Sequence, residues 1–140
     1  MPSAPLPAEL QRFLAKPRHA VVGTVRADGA PVTAACWYGL DDDDRIILSM
    51  GHDSHRLRHI RANPRVALTV LGDNWYSHVS ILGRAVELRS DDDLADIDAL
   101  SRRYWRRPYT DRGYRGMTVV VEIDRWHTYG NPAAEAGAAP

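Results

Sequence analysis

Short β-branched runs, each closed by a turn signal, recur along the whole chain, and this alternation restricts it to a mainly β, antiparallel architecture. His19–Arg26 (HAVVGTVR) leads into Asp28-Gly29, a strong hairpin signal because a tight reversal needs residues that accept positive φ. Pro31–Leu40 (PVTAACWYGL) reads as the return strand, Asp41–Asp44 as the next turn, and Arg45–Ser49 (RIILS) as the third strand. Val66–Leu71 (VALTVL) is the fourth, Gly72-Asp73-Asn74 a turn, Trp75–Leu88 (WYSHVSILGRAVEL) a long fifth and Met117–Tyr129 (MTVVVEIDRWHTY) the sixth. Six hairpin-linked strands with few helices predict a small antiparallel barrel rather than alternating βαβ units.

Three short helices interrupt the strands. Ala8–Leu14 is amphipathic and stops near Pro17. Ser54 is a good N-cap for a helix with Leu57 and Ile60 on one face, ended by Asn63-Pro64. Ser90, followed three residues later by Asp93, resembles a capping box, and the helix after it carries Leu94, Ile97, Leu100 and Tyr104 on one side. The spacing gives one domain over residues 8–130, with residues 1–7 and 131–140 as flexible termini.

Composition then narrows the partners. Eighteen basic and eighteen acidic residues cancel, whereas a protein that coats a polyanion carries a basic excess, so nucleic acid is not expected. No apolar run approaches the ~20 residues of a membrane span, and no membrane partner is expected. Cys36 is the one cysteine; it excludes an internal disulfide and fits a reducing cytoplasm. Mid-strand between Ala35 and Trp37, it reads as a small apolar filler.

Ser49–Val66 (SMGHDSHRLRHIRANPRV) carries the chemistry. A strand ends, a short loop follows, and a helix starts at Ser54 with Arg56 in its first turn. The helix dipole disfavours cations there by ~0.3–1 kcal/mol. Arginines beside free N–H groups and a serine hydroxyl suit an anion, a phosphate above all. A solvated Arg-rich face is the alternative in a chain where every basic residue but Lys16 is arginine. His52-x-x-His55-x-x-x-His59 invites a metal, but it lacks the cysteines or carboxylates of a closed site, and no metal is expected. Nothing among the six histidines singles out a haem ligand.

Ser54-His55-Arg56, followed six residues on by Asn63-Pro64-Arg65-Val66, resembles the phosphate-binding segment of the pyridoxamine 5′-phosphate oxidase-like split-barrel family, where Ser-Arg-Lys precedes Asn-Pro-Arg-Val at the same spacing. His78-Val79-Ser80-Ile81-Leu82-Gly83-Arg84-Ala85 is similar to its Gln-Val-x-Val-x-Gly-Lys-Ala strand, and Thr24–Pro31 to its first hairpin. The resemblance implies a six-stranded, FMN-binding-like split β-barrel that forms a homodimer and holds a flavin-type cofactor in each of two interface grooves. It implies that Ser54, His55 and Arg56 grip the cofactor phosphate, with Ser49 and Met50 lining the same pocket. Ala35, Cys36 and Trp37 would run beneath the ring system, and His78 would stand where a glutamine contacts the phosphate. Trp75, Tyr76 and Trp37 could wall the groove.

Full vitamin-B6 oxidases carry a substrate-binding C-terminal extension, whereas here the last strand is followed by Gly130 and PAAEAGAAP after Asn131. With Trp37-Tyr38 closing the second strand, the chain looks more like the flavin/deazaflavin oxidoreductases that use coenzyme F420. The expected activity is hydride transfer between reduced F420 and a small electron-poor organic substrate, with Tyr38, Tyr76, His78 or solvent supplying the proton. FMN is the alternative cofactor, and a non-catalytic cofactor or tetrapyrrole carrier the alternative role. The Arg102-Arg103…Arg106-Arg107 cluster reads as a solvated helix end or as a rim for the anionic tail of F420.

Overall fold

The computed structural model describes residues 5–132. Helix α1 (Ala8–Ala15) is followed by strands β1 (Ala20–Val25), β2 (Pro31–Cys36), β3 (Gly39–Leu40) and β4 (Ile46–Gly51). Helix α2 (His55–Ala62), β5 (Arg65–Leu71), β6 (His78–Ser90), α3 (Ala95–Trp105) and β7 (Gly116–Tyr129) complete the order. The termini expected to be flexible lie largely outside the described residues, but Leu6 packs in the core at 5% exposure.

All strand pairs are antiparallel, in the order β2-β1-β5-β6-β7-β4-β3. The long β6–β7 ribbon is the spine. The first half of β6, His78–Arg84, pairs with β5, whereas the first half of β7, Gly116–Val121, pairs with β4. The two wings therefore leave the spine at opposite ends, which is how a single sheet comes to wrap a core as a split barrel. Register shifts at Leu82/Gly83 and Ala85/Glu87 bend the ribbon at that crossover. Gly83 is obligatory at the bend, because a Cβ there would sit 2.4 Å from the Glu122 carbonyl oxygen.

Alternation works as the sequence predicts: β1 and β4 bury every second residue, and Val22, Leu48, Val70, Ile81 and Val121 meet Phe13, Leu14, Leu57 and Ile60 in one core. Asp28-Gly29 makes the first hairpin, with Gly29 at φ 86° and its N–H donating to Arg26 O. No helix among the described residues is long and apolar enough to cross a membrane.

Three local expectations are corrected. Seven strands replace six because Pro31–Leu40 breaks after Cys36. Tyr38 is fully buried and donates its hydroxyl to the Leu14 and Lys16 carbonyls, both at 2.9 Å, so the backbone leaves the sheet to seat it. Trp75–Leu88 loses its first three residues to a turn, where the Asn74 side chain accepts from Tyr76 N–H, and runs instead to Ser90. Ser90 does not cap α3. The Asp91 carboxylate accepts from Asp96 and Ile97 N–H at 2.9 and 2.8 Å, and Leu94 precedes the helix in the left-handed region at φ 63°.

Candidate functional site

The break after Cys36 sends neighbouring side chains in opposite directions: Tyr38 enters the core, and Trp37 joins a second apolar cluster with Leu94, Ile97 and Leu100 of the α3 region. Between that cluster and the ends of β1, β2 and β4 lies a cleft of about 790 Å³. Its aromatic wall is ordered. Trp37 stacks on Tyr104 with centroids 5.4 Å apart, and meets Trp105 and Tyr109 edge-on at 4.7 and 6.1 Å. Tyr109 meets Tyr114 edge-on at 5.3 Å, and the Tyr114 hydroxyl lies 2.9 Å from Ser49 Oγ.

The wall is tied from behind. Tyr104 donates its hydroxyl to Arg18 O at 2.6 Å and accepts from Tyr38 N–H. Arg103 points inward, donating to the Leu14, Ala15 and Lys16 carbonyls while lying over the Tyr38 ring. Asp98 accepts from Tyr109 N–H and from both terminal nitrogens of Arg112, which fastens the segment after α3.

At the floor, Ala35, Cys36, Ser49 and Arg56 line the same cleft. Arg56 rises from the first turn of α2. Its Nη1 is buried and has no hydrogen-bond partner among the described residues. A guanidinium nitrogen held out of water without an acceptor costs free energy unless an anion meets it there. Burial pushes the Cys36 thiol up to about 11, against a smaller opposing pull from Arg56, so it stays protonated near neutrality and is no nucleophile. Burial also raises the Tyr104 and Tyr114 phenols; for Tyr114 the Ser49 hydrogen bond and the Arg56 charge oppose it.

A family description of pyridoxamine 5′-phosphate oxidase matches residues 6–129. The chain belongs to the pyridoxamine 5′-phosphate oxidase family. Among solved structures it is similar to an F420 reductase, at 27% identity over 87% of this chain and 98% of that one, with a TM-score of 0.76. A conserved hypothetical protein from Mycobacterium tuberculosis shares the fold at 22% identity and a TM-score of 0.74, covering 99% of this chain and 92% of that one. General Stress Protein 26 from Bacillus anthracis shares it at 18% and 0.65, covering 86% and 91%. No curated protein matches.

Within this family fold, the residues expected at the cofactor separate into two groups. Ala35, Cys36, Trp37, Ser49 and Arg56 come together at the cleft. The other five do not line it within one chain. Met50 alternates inward from Ser49 and is 1% exposed in the core. Ser54 sits at the N-cap of α2, accepting from Leu57 N–H, and His55 is exposed beside it. Trp75 stands 68% exposed in the turn before β6, and His78 stacks on Tyr129 at 4.6 Å on the first residue of that strand. The histidines of the spaced trio also part company: His52 Nδ1 lies 3.1 Å from Arg115 O, and His59 Nδ1 3.0 Å from Thr24 Oγ1.

Of the aromatic wall, the sequence placed Trp37 at the groove and Tyr104 on the apolar face of the last helix, and left out Trp105, Tyr109 and Tyr114. Trp105 and Tyr109 stand among Arg102, Arg103, Arg106 and Arg107, a cluster whose charge reads as a solvated helix end or a rim. The apolar face of α3, continued through Trp105 and Tyr109, is the signal that could have placed them inward. Of the arginines in that cluster, Arg103 is engaged with the backbone and leaves the rim, while Arg107 lies over the exposed Trp105 ring at 5.5 Å.

Proposed function

We propose that this protein is an F420-dependent oxidoreductase that reduces a small, electron-poor organic substrate. The observation that carries the reading is the buried, unpartnered Arg56 Nη1 at the floor of an aromatic cleft: a ligand that is flat and anionic answers both features. Family membership and the F420 reductase neighbour support a flavin- or deazaflavin-type cofactor. When bound, reduced F420 supplies the hydride.

The chain's residues supply the setting. Arg56 holds the cofactor phosphate, with Ser49 beside it on β4, through a charge-assisted contact. Trp37, braced by Tyr104, offers an apolar face that excludes water from the ring system. Ala35 and Cys36 present little bulk, so the ring can approach the end of β2. Arg107 with Trp105 forms a rim that suits the polyanionic tail of F420 better than the single phosphate of FMN.

The protein acts as a homodimer in the cytoplasm on this reading. Trp75 and His78, remote from the cleft of their own chain, would then complete the groove of a second copy. Light scattering tests this directly: a dimer is expected, and a monomer that binds cofactor with full affinity would remove the composite groove.

The activity test is anaerobic mixing of protein and reduced F420 with an activated alkene or imine. Return of the oxidised cofactor's visible absorbance is expected. Tight binding without transfer to any acceptor would favour a carrier, and transfer from reduced FMN alone would favour the flavin alternative.

A further inference from the structure

We propose that Arg103 is a positioning residue: by anchoring the last turn of α3 to the C-terminus of α1, it sets the Trp37–Tyr104 wall of the cleft. The consequence for ligand binding rests on the cofactor reading above. A short helix such as α1 leaves its last carbonyls without donors inside the helix, so partners must come from elsewhere. Arg18 Nε donates to Phe13 O at 2.7 Å, and the Tyr38 hydroxyl to Leu14 O and Lys16 O. Arg103, from the far end of the chain, completes the set. Its Nη1 donates to Ala15 O at 2.7 Å, and its Nη2 to Leu14 O and Lys16 O at 2.7 and 2.8 Å.

Charge and shape both select an arginine at this position. The carbonyl end of a helix carries partial negative charge, which a cation meets favourably. Acceptors on three consecutive residues suit a planar, forked guanidinium better than the point charge of a lysine. The guanidinium carbon lies 4.8 Å from the Tyr38 ring centroid and 5.9 Å from that of Tyr104, so the group sits between the two phenols. Its neighbours Arg102, Arg106 and Arg107 are exposed, whereas Arg103 turns into the gap between α1 and α3.

Chain order carries the anchor to the cleft. Tyr104 is the next residue, and its hydroxyl donates to Arg18 O at 2.6 Å and accepts from Tyr38 N–H. Its ring stacks on Trp37, and Trp105 meets the same indole edge-on. The helix stops there, with Arg106 left-handed at φ 61°. Helix ends fray, so a wall built on a last turn needs a tie in that turn. Arg103 supplies it from the side away from the ligand, and acts on the cleft through Tyr104 and Trp37.

Arg103→Gln tests the assignment, with Arg103→Lys as the conservative variant. In the ligand-free protein, near-ultraviolet circular dichroism reads the Trp37–Tyr104 stack, calibrated by the band that Tyr104→Leu removes. Arg103→Gln should lose most of that band while its far-ultraviolet spectrum stays that of the wild type. Arg103→Lys, which keeps the charge without the fork, should fall between the two. A full wild-type band in Arg103→Gln would overturn the proposal. Should Arg103→Gln fail to fold, a full band in Arg103→Lys would do the same.

Binding then separates positioning from direct contact. F420 and its deazariboflavin core share the ring system, but the core lacks the phosphate and the anionic tail. Displacement of the wall in Arg103→Gln should weaken both ligands by the same factor, about three- to tenfold, the worth of an aromatic contact. A loss confined to F420 would make Arg103 an anion contact, and unchanged affinity for both would make it a tie for the fold alone. Either result would overturn the proposal. Failure of the wild type to bind either ligand would instead overturn the cofactor reading, and the ligand-free spectrum would still decide the role of Arg103.

Discussion

Trp37 and Tyr104 lie face to face, their ring planes 9° apart and their centroids 5.4 Å apart, across the gap between the end of β2 and helix α3. Beside the stack, Tyr38 N–H donates to the Tyr104 hydroxyl across 66 residues of sequence, and the two contacts together fix one wall of the cleft. Removing that hydroxyl alone, in Tyr104→Phe, takes away its bonds to Arg18 O and Tyr38 N–H but keeps the ring. A loss of about 1–2 kcal/mol in unfolding free energy is expected by denaturant titration, with the stack and its near-ultraviolet signal retained.

Arg56→Met separates binding from folding. The unpartnered guanidinium nitrogen adds nothing to the unloaded protein, so its melting temperature should hold or rise. F420 affinity, measured by fluorescence, should fall by roughly 10- to 150-fold, equivalent to about 1.5–3 kcal/mol for a hydrogen bond to a charged group. A fall in melting temperature with affinity unchanged would remove Arg56 from the site.

Alkali should destabilise the fold through Cys36. Its thiol is protonated up to about 11 in the folded chain and up to its ordinary 9.0 when unfolded. Between those values the unfolded chain has released a proton that the folded chain keeps, so stability is full below pH 9 and falls as pH rises towards 11. The raised phenol of Tyr38, also an effect of burial, acts in the same direction at still higher pH. Cys36→Ala should flatten the first part of this alkaline decline in a pH series of melting temperatures. At pH 8, alkylation of Cys36 should be far slower than that of a free thiol.

Acid should loosen the segment that carries Tyr109 and Tyr114. The Arg112 hydrogen bonds hold the Asp98 carboxyl below its ordinary 3.8. The contribution is therefore present above that value and is lost as pH falls through the folded one. The protection of Tyr109 N–H, which donates to Asp98 at 2.9 Å, taken relative to its intrinsic exchange rate at each pH, should fall at low pH before that of the β-core amides. Asp98→Asn should show the lower protection already at neutral pH.

Gly83→Ala tests the bend in the spine. The added methyl would meet the Glu122 carbonyl oxygen and Val121 Cγ1, both in the paired strand, where backbone cannot yield cheaply. Destabilisation of about 1–3 kcal/mol or more is expected from overpacking, measured by chemical denaturation.

Much of this was legible in the chain. The hairpin at Asp28-Gly29 and the Ser54 N-cap with Leu57 and Ile60 beneath it follow from local chemistry, and local chemistry fixes them in the structure. The departures come from tertiary demand. Tyr38 breaks its strand because a buried hydroxyl needs the carbonyls at the end of α1, which no window around Tyr38 contains. Asp91 displaces Ser90 as the acceptor at α3 because Ser90 is still paired with Met117 in the β-ribbon. At the site, Arg56 was visible from its place in a helix's first turn. Tyr114 was not, since its partner Ser49 lies 65 residues away on another strand.

The proposed function gives the Arg56 cleft a flat anionic deazaflavin. Its most direct test is a fluorescence titration of the purified protein with F420, run beside FMN. Submicromolar binding of F420, much tighter than FMN and weakened by Arg56→Met, is the predicted result. Preference for FMN, or binding of neither, would contradict it.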